Sequence, residues 1–353
     1  MQIDFHHAVT YVTARIAGFG HEEADIIAYS SQFVDDAVSS GVVCFDNKAM
    51  YSRISSAHKA IDPRNLDNAE NHLIWLPFHF LPGNGGKKAG VDPRGSFINK
   101  IICLPNSPVA EEIVQAAILD QGRPYGLHRL GITLHVYADT WAHQGFAGVL
   151  HVINDVENVE EIGNSGGFKY VLQDILKHCL GNSVPPLGHG RALEFPDLPF
   201  LAWEYYNGQG KHISRKNTDI FCEAADSMCK AMQQYRQHSD DSVQVSGIGK
   251  KDKEMIRNLF SELKSPDGSL RHREWLKAIQ DGMFSFGSAS ISYYEEGKYS
   301  WKAQALGTSL DVPVHSYKDS FLTSNWKLFH DALQLYRVTL LHDILPKYGI
   351  CAG

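Results

Sequence analysis

The segment Leu134 to Phe146, LHVYADTWAHQGF, constrains this chain more than any other. It sets His135, Asp139 and His143 at i, i+4 and i+8. At about 100° per helical residue the three side chains fall within an arc of roughly 80°. Leu130, Ile132, Leu134, Val136, Tyr137 and Trp141 make the rest of the segment apolar or aromatic. A helix of this kind is buried nearly all round, and two imidazoles and a carboxylate inside a core need partners. A divalent metal is one. A hydrogen-bonded structural cluster is the other, because the chain carries 18 histidines in 353 residues and some close pairs arise by chance.

Around this segment the pattern is helical. A first helix is expected over 6–18, ended by Gly18 and Gly20. A second opens at Gly20-His21-Glu22-Glu23 and runs to Asp35-Asp36, with its early acids at the positive helix end. Ser107-Pro108, followed by Glu111-Glu112, is a helix start. Further helices are expected over 166–180, 216–238, 253–264, 271–281 and about 319–345. Residues 289–301 read either as a hairpin turning at Glu295-Glu296-Gly297-Lys298 or as a loop entering a helix. Strand patterns are scarce, so the expected fold class is all-α, a compact multi-helix bundle. Two long Pro/Gly-rich connections, 62–106 and 185–200, decorate it. The expected organisation is a helical metal-binding core over 1–238, a linker and small helical insertion over 239–275, and a segment over 276–353 whose long helix packs back on the core.

The remaining candidate ligands follow from this layout. A short turn makes the first two helices antiparallel neighbours, so His6 or His7 meets Asp35 or Asp36 at one end of the pair. Adjacent residues differ by 100° around the axis, and the inward member of each pair stays open. His79 stands in a proline-braced aromatic loop, WLPFHFLPGNGG. His189 stands between glycines that let the backbone approach a ligand closely. His128 shares the face of His135 but lies one turn farther than a compact site needs, and His151 and Asp155 make an i, i+4 pair just past the metal helix; these are weaker candidates. Histidine and carboxylate donors suit zinc, two or more ions, with iron as the alternative; calcium or magnesium fits poorly. Such ions make a nucleophile of water and neutralise a phosphoryl oxygen, and a carboxylate free of metal, Asp36 or Asp155, then orients water or protonates the leaving group.

The pattern Leu130-Gly131-x-x-Leu134-His135-x-x-x-Asp139, with His143 beyond it, resembles the metal helix of the zinc-dependent phospholipase C and single-strand nuclease superfamily, to which Het-C-like proteins are related. It is similar as well to what a bacterial family of unknown function sharing this helix would carry. The order of an N-terminal His, an Asp closing an early helix and a His before the metal helix is matched by His6 or His7, Asp35 or Asp36, and His79. The resemblance implies a phospholipase C-like helical fold and hydrolysis of a small or lipid-derived phosphoester. The secreted enzymes often begin with a metal-binding amino terminus, whereas this chain starts at an ordinary Met1. Alternatives are an HD-like phosphohydrolase, a di-iron oxygenase, or a non-catalytic protein clamped by a structural metal. Adjacent His-Asp dipeptides occur only late, at His330-Asp331 and His342-Asp343, which counts against the HD reading.

Net charge is −7 and no Lys/Arg stripe occurs, so no stable nucleic-acid partner is expected. No run of eighteen apolar residues is present and none is expected to span a membrane. The opening MQIDFHHAVTYV lacks a secretory pattern, and the expected location is cytoplasmic. The six cysteines form no CxxC pair, so no zinc–thiolate site is indicated.

Overall fold

The structure is a computed structural model that describes residues 1–58, 67–163, 186–237 and 245–351. The chain opens with a π-helical turn, Asp4–Val9, that runs into α1 (Thr10–Ile16). After the turn at Gly18 comes α2 (His21–Asp36), whose Gly20 backbone N–H donates to the Glu23 carboxylate at 2.9 Å. Then follow α3 (Pro108–Leu119), α4 (Gly126–Ala142), α5 (Asn217–Gln237), α6 (Lys250–Glu262), α7 (Gly268–Gln280) and α8 (Asn325–Val338). Helix α4 is the axis of the molecule. Every residue from His128 to Ala142 is buried, and α2, α3, α5 and α8 pack around it. One apolar core runs from Met1 to Ile350 through all three expected segments.

The approach of α2 to α4 has a local cause. A Cβ on Gly131 would stand 2.4 Å from the Ile27 carbonyl oxygen and 2.6 Å from Ser30 Cβ. Only a residue without a side chain lets the two helices touch backbone to backbone there. One turn farther along both helices, that contact sets Ser31 and Asp35 against His135 and Asp139.

The expectation of an all-α fold is overturned. Helices predominate, but two antiparallel sheets are present: β1 (Gly41–Cys44) with β2 (Met50–Arg53), and β3 (Val156–Glu161), β4 (Ala202–Asn207) and β5 (His212–Lys216) in that order. The strands are four to six residues long, too short for strong alternation. In β4, Trp203 and Tyr205 point inward while Glu204 and Tyr206 face out, and Asn207 with Gly208 and Gly210 makes the turn to β5.

Both sheets serve the site. The β1–β2 hairpin returns the chain to the end of α2, where Ser56 Oγ donates to the Val34 carbonyl at 2.6 Å. From β5, Arg215 donates to the carbonyls of Trp141 (3.1 Å), Ala142 (2.7 Å) and Gln144 (3.3 Å). These acceptors lie at the negative end of α4, where carbonyls lack helical partners, and Trp141 also accepts from Gln144 Nε2 at 2.9 Å; a buried guanidinium there suits the dipole. Asn217, at the start of α5, donates to Phe195 and Leu198 carbonyls (2.6 and 2.8 Å) and fixes the short turn Phe195–Asp197.

Residues 289–300 form no strand; they run irregularly into a one-and-a-half-turn helix, Trp301–Leu306, which is the second of the two readings of that stretch. Tyr29 hydroxyl donates to Tyr294 carbonyl and Tyr293 hydroxyl to Asp36, so the segment spends its polar groups on α2 instead of on a cross-strand partner. The terminal helix breaks into α8, a π-turn (Thr339–Ile344) and a 3₁₀ turn (Leu345–Tyr348). The helix expected over 166–180 and the start of the linker expected within 239–275 lie outside the described residues. No helix among the described residues is long and apolar enough to cross a membrane.

Candidate metal centre

Five histidines and three aspartates converge at one end of α4. In the first group, His135 Nε2 lies 3.4 Å and His79 Nδ1 3.5 Å from Asp139 Oδ2, with 3.3 Å between the two imidazole nitrogens. Asp35 Oδ1 stands 3.8 Å from each of those nitrogens. In the second group, His143 Nε2 is 3.4 Å from Asp197 Oδ1 and His189 Nε2 is 3.4 Å from Asp197 Oδ2. In the third, His6 Nε2 lies 3.2 Å and the Met1 nitrogen 2.8 Å from Asp139 Oδ1, and the Met1 nitrogen is 3.1 Å from Asp197 Oδ1. Asp139 thus serves two groups with its two oxygens.

These spacings carry chemical information. Metal–ligand bonds of about 2.0–2.1 Å in a tetrahedron put ligand atoms roughly 3.3–3.4 Å apart. Hydrogen-bonded pairs sit nearer 2.7–3.0 Å. Of the seven imidazole–carboxylate distances above, three match the former, two more lie about 0.1 Å from it, and none falls in the hydrogen-bonded range.

The histidines are oriented for the same purpose. His135 Nδ1 donates to the Ser31 carbonyl (2.9 Å), His79 Nε2 to Ser56 (2.9 Å), His143 Nδ1 to His79 (2.7 Å) and His189 Nδ1 to Leu193 (2.7 Å). A carbonyl accepts only from N–H, so each ring keeps its bare nitrogen for the cluster. Metal-ligating histidines carry this outer-shell pattern. Asp197 Oδ1 is paired with the Met1 ammonium, whereas Asp139 Oδ2 and His143 Nε2 are buried, with no hydrogen-bond partner among the described residues. Groups so placed are costly unless something else binds them. The donor chemistry and the orphaned atoms fit a divalent cation.

Burial holds His6 and His189 down to about 4 and His135 well below the imidazole range, so these rings are neutral and ready to ligate. Burial also opposes ionisation of the carboxyls. For Asp139, His143, the Met1 amine, His135 and His6 outweigh it and hold the group well below the usual range; for Asp197, the amine, His189 and His143 do so. Asp35, desolvated and facing Asp139 and Asp36, is pushed well above it. The Met1 amine, although buried, is raised to about 11 by Asp139, Asp197 and Asp35.

A cavity of about 180 Å3 opens onto the donors. Beyond them its wall is Ala57, His58, Trp75 and Phe80, with Phe80 stacked on His143 at 4.6 Å between ring centres.

Of the sequence-level candidates, His6, Asp35, His79, His135, Asp139, His143 and His189 meet here. The π-turn sends His6 inward and His7 away: His7 Nδ1 is 2.9 Å from His272 Nε2 on α7. Asp36 likewise turns from the cavity and accepts from Tyr293 and Gln32. Asp155 pairs with Arg191 outside the cavity wall. His128 bonds Asn325, and His151 caps its own turn by accepting from Ile153 N–H. Sequence reasoning passed over two groups of the cluster, the Asp197 carboxylate and the Met1 ammonium that pairs with it. Asp197 falls in the aperiodic FPDLPF; its one signal was its place eight residues after His189 in a Pro/Gly-rich loop. His58 was also missed.

Comparison with known proteins gives one match, and it is nearly full-length. Residues 1–344 match the family of unknown function DUF6765. No curated protein and no solved structure matches at a significant level.

Proposed function

We propose that this chain, which belongs to the DUF6765 family of unknown function, is a metal-dependent hydrolase of phosphoesters that works with two or more zinc ions. The observation that carries the reading is the spacing of bare imidazole nitrogens and carboxylate oxygens around Asp139, each imidazole of the first two groups locked by a backbone carbonyl. Asp35, His79, His135 and Asp139 would hold one ion, and His143, His189 and Asp197 another. His6 and the second oxygen of Asp139 would contribute to a third. The resemblance of the α4 motif to the phospholipase C and single-strand nuclease helix supports the same chemistry.

Bound divalent ions supply Lewis acidity, activating water near neutral pH and offsetting charge on a phosphoryl oxygen. The protein's own groups do the rest. Asp139 ties the donor groups into one rigid unit. Trp75 and Phe80 wall the cavity with apolar surface and shield it from bulk water. With Asp36 and Asp155 turned elsewhere, His58 is the cavity-lining side chain outside the donor groups that can pass a proton to a leaving group. The cavity is large enough for a phosphoryl group with a small substituent. An open cavity beside the donors also separates this reading from a closed structural clamp. Neither late His-Asp dipeptide is at the centre: His330 sits 4.5 Å from the Trp326 ring and Asp331 pairs with Lys327, while His342 and Asp343 are exposed. That disfavours the HD reading.

Metal analysis of full-length protein purified without added metal tests the proposal, and tells zinc from iron. Two or more equivalents are expected, with hydrolysis of bis(p-nitrophenyl) phosphate lost in His135→Ala and Asp139→Ala. A folded wild-type protein that takes up no zinc or iron refutes it.

A further inference from the structure

His6 differs from the other cluster histidines. The other four each donate one ring N–H to a backbone carbonyl. His6 Nδ1 is buried and has no hydrogen-bond partner among the described residues. Its ring stacks on His135 at 3.9 Å between centres and meets Phe5 edge-on at 6.2 Å, with Nε2 towards Asp139, and no carbonyl among the described residues fixes its orientation as one does for the other four. Whatever fixes that backbone therefore aims the donor.

The backbone is gripped from α7, far along the chain. Arg271 is buried, and each of its five N–H groups has an acceptor. Nε and Nη2 fork onto Asp4 at 2.6 and 3.0 Å, and Nη2 also reaches Gln2 Oε1 at 2.6 Å. Nη1 donates to the Ser265 and Pro266 carbonyls at 2.6 and 3.0 Å, which anchors the guanidinium in the turn before α7. Asp4 is itself fully buried. The next residue, His272, takes His7. Residues 271 and 272 thus hold the positions two before and one after His6. Gly268 completes the seat: a Cβ there would meet Gln2 Oε1 at 2.6 Å, so the start of α7 lies flush against the N-terminal segment.

We infer that Arg271 is a positioning residue of the metal centre, which aims His6 at the Asp139 carboxylate by clamping Asp4 and Gln2 of the π-turn. This rests on the metal reading above and gives the segment over 250–280 a role in it. The planar fork is essential, since a lysine presents a point charge and too few fixed donors to copy it.

The test uses the full chain and Zn2+ as the probe, by chelator-competition titration. Arg271→Lys and the milder Asp4→Asn are expected to weaken one class of bound zinc by about 10–100-fold, the range for lost outer-shell partners. The remaining zinc keeps wild-type affinity. His6→Ala is expected to weaken the same class, and Arg271→Lys added to His6→Ala to cost nothing further for zinc. Trp275→Phe, on the same helix but packed on Phe260 and Phe284, is expected to lower the melting temperature and leave zinc affinity intact. The inference fails if Arg271→Lys and Asp4→Asn bind zinc as the wild type does, if the effects of Arg271→Lys and His6→Ala add, or if Trp275→Phe loses zinc equally. Wild-type protein that binds no zinc sinks the metal reading and this inference together.

Discussion

Gly131→Ala adds a single methyl at the one point where α2 and α4 touch through their backbones. The new Cβ would sit 2.4 Å from the Ile27 carbonyl oxygen, where ordinary contact begins near 3.4 Å. Neither atom belongs to a flexible side chain, so the helices must separate by roughly 1 Å. Overpacking of this kind costs about 1–3 kcal/mol. Alanine returns about 1 kcal/mol through its better helix propensity. The metal-free protein should therefore lose only about 0–2 kcal/mol. The metal-loaded protein should lose more. Asp35 and the Ser31 carbonyl move with α2 while His135 and Asp139 stay with α4, and metal–ligand distances tolerate only about ±0.2 Å. A loss of about 10–100-fold in zinc affinity corresponds to about 1.4–2.7 kcal/mol. Thermal unfolding at fixed zinc and with excess chelator reads both quantities. The variant should show a much smaller zinc-dependent rise in Tm than the wild type. A rise equal to the wild type's would refute the claim that close approach at Gly131 sets the ligand geometry.

Two further outcomes follow. Burial, opposed only in part by the bond to Asn325, holds His128 on α4 at about 4, below the roughly 6.5 of an unfolded chain. Above pH 6.5 both states are neutral there and nothing changes; as pH falls towards 4 the unfolded state alone takes the proton, and stability drops by about 1.4 kcal/mol per pH unit. His128→Gln should remove that much acid sensitivity from the slope of stability against pH between 6.5 and 4, and an unchanged slope would exclude a neutral buried His128. Arg215→Met strips the Ala142 and Gln144 carbonyls at the end of α4 of their donor and leaves the Trp141 carbonyl with Gln144 Nε2 alone, at a cost of about 2 kcal/mol or more in urea unfolding. It should also weaken the zinc held beside His143, and a variant as stable as the wild type would show that the helix end is satisfied in some other way.

Much of the centre was legible because its central donors share one helix, where four-residue spacing translates directly into a common face. His135 and Asp139 lie on that helix and His143 on the residue that caps it. The pairs His6-His7 and Asp35-Asp36 were legible only as pairs. Choosing between neighbours depends on the phase of the π-turn and on where α2 stops, and both are set by tertiary contacts with α7 and Tyr293. Asp197 had no periodic context; its placement comes from Asn217, which bonds the turn from a separate helix. The sheets escaped notice for a similar reason. Strands of four to six residues are stabilised by the packing of a few rings, such as Trp203 and Tyr205, and not by a long alternating run. In the opposite direction, the Tyr-rich stretch near 293 has strand-like composition, yet its hydroxyls and carbonyls are claimed by α2.

The donors come from residues 6, 35, 79, 135, 139, 143, 189 and 197, so the cluster closes over more than half the chain. A polypeptide released from the ribosome short of Asp197 lacks part of the cage, and one short of Arg271 lacks the brace behind His6. On the proposed metal reading, ion capture would thereby wait for the last stage of maturation, and the captured ion would staple remote stretches together, most strongly against the openings that separate the first helix from the rest.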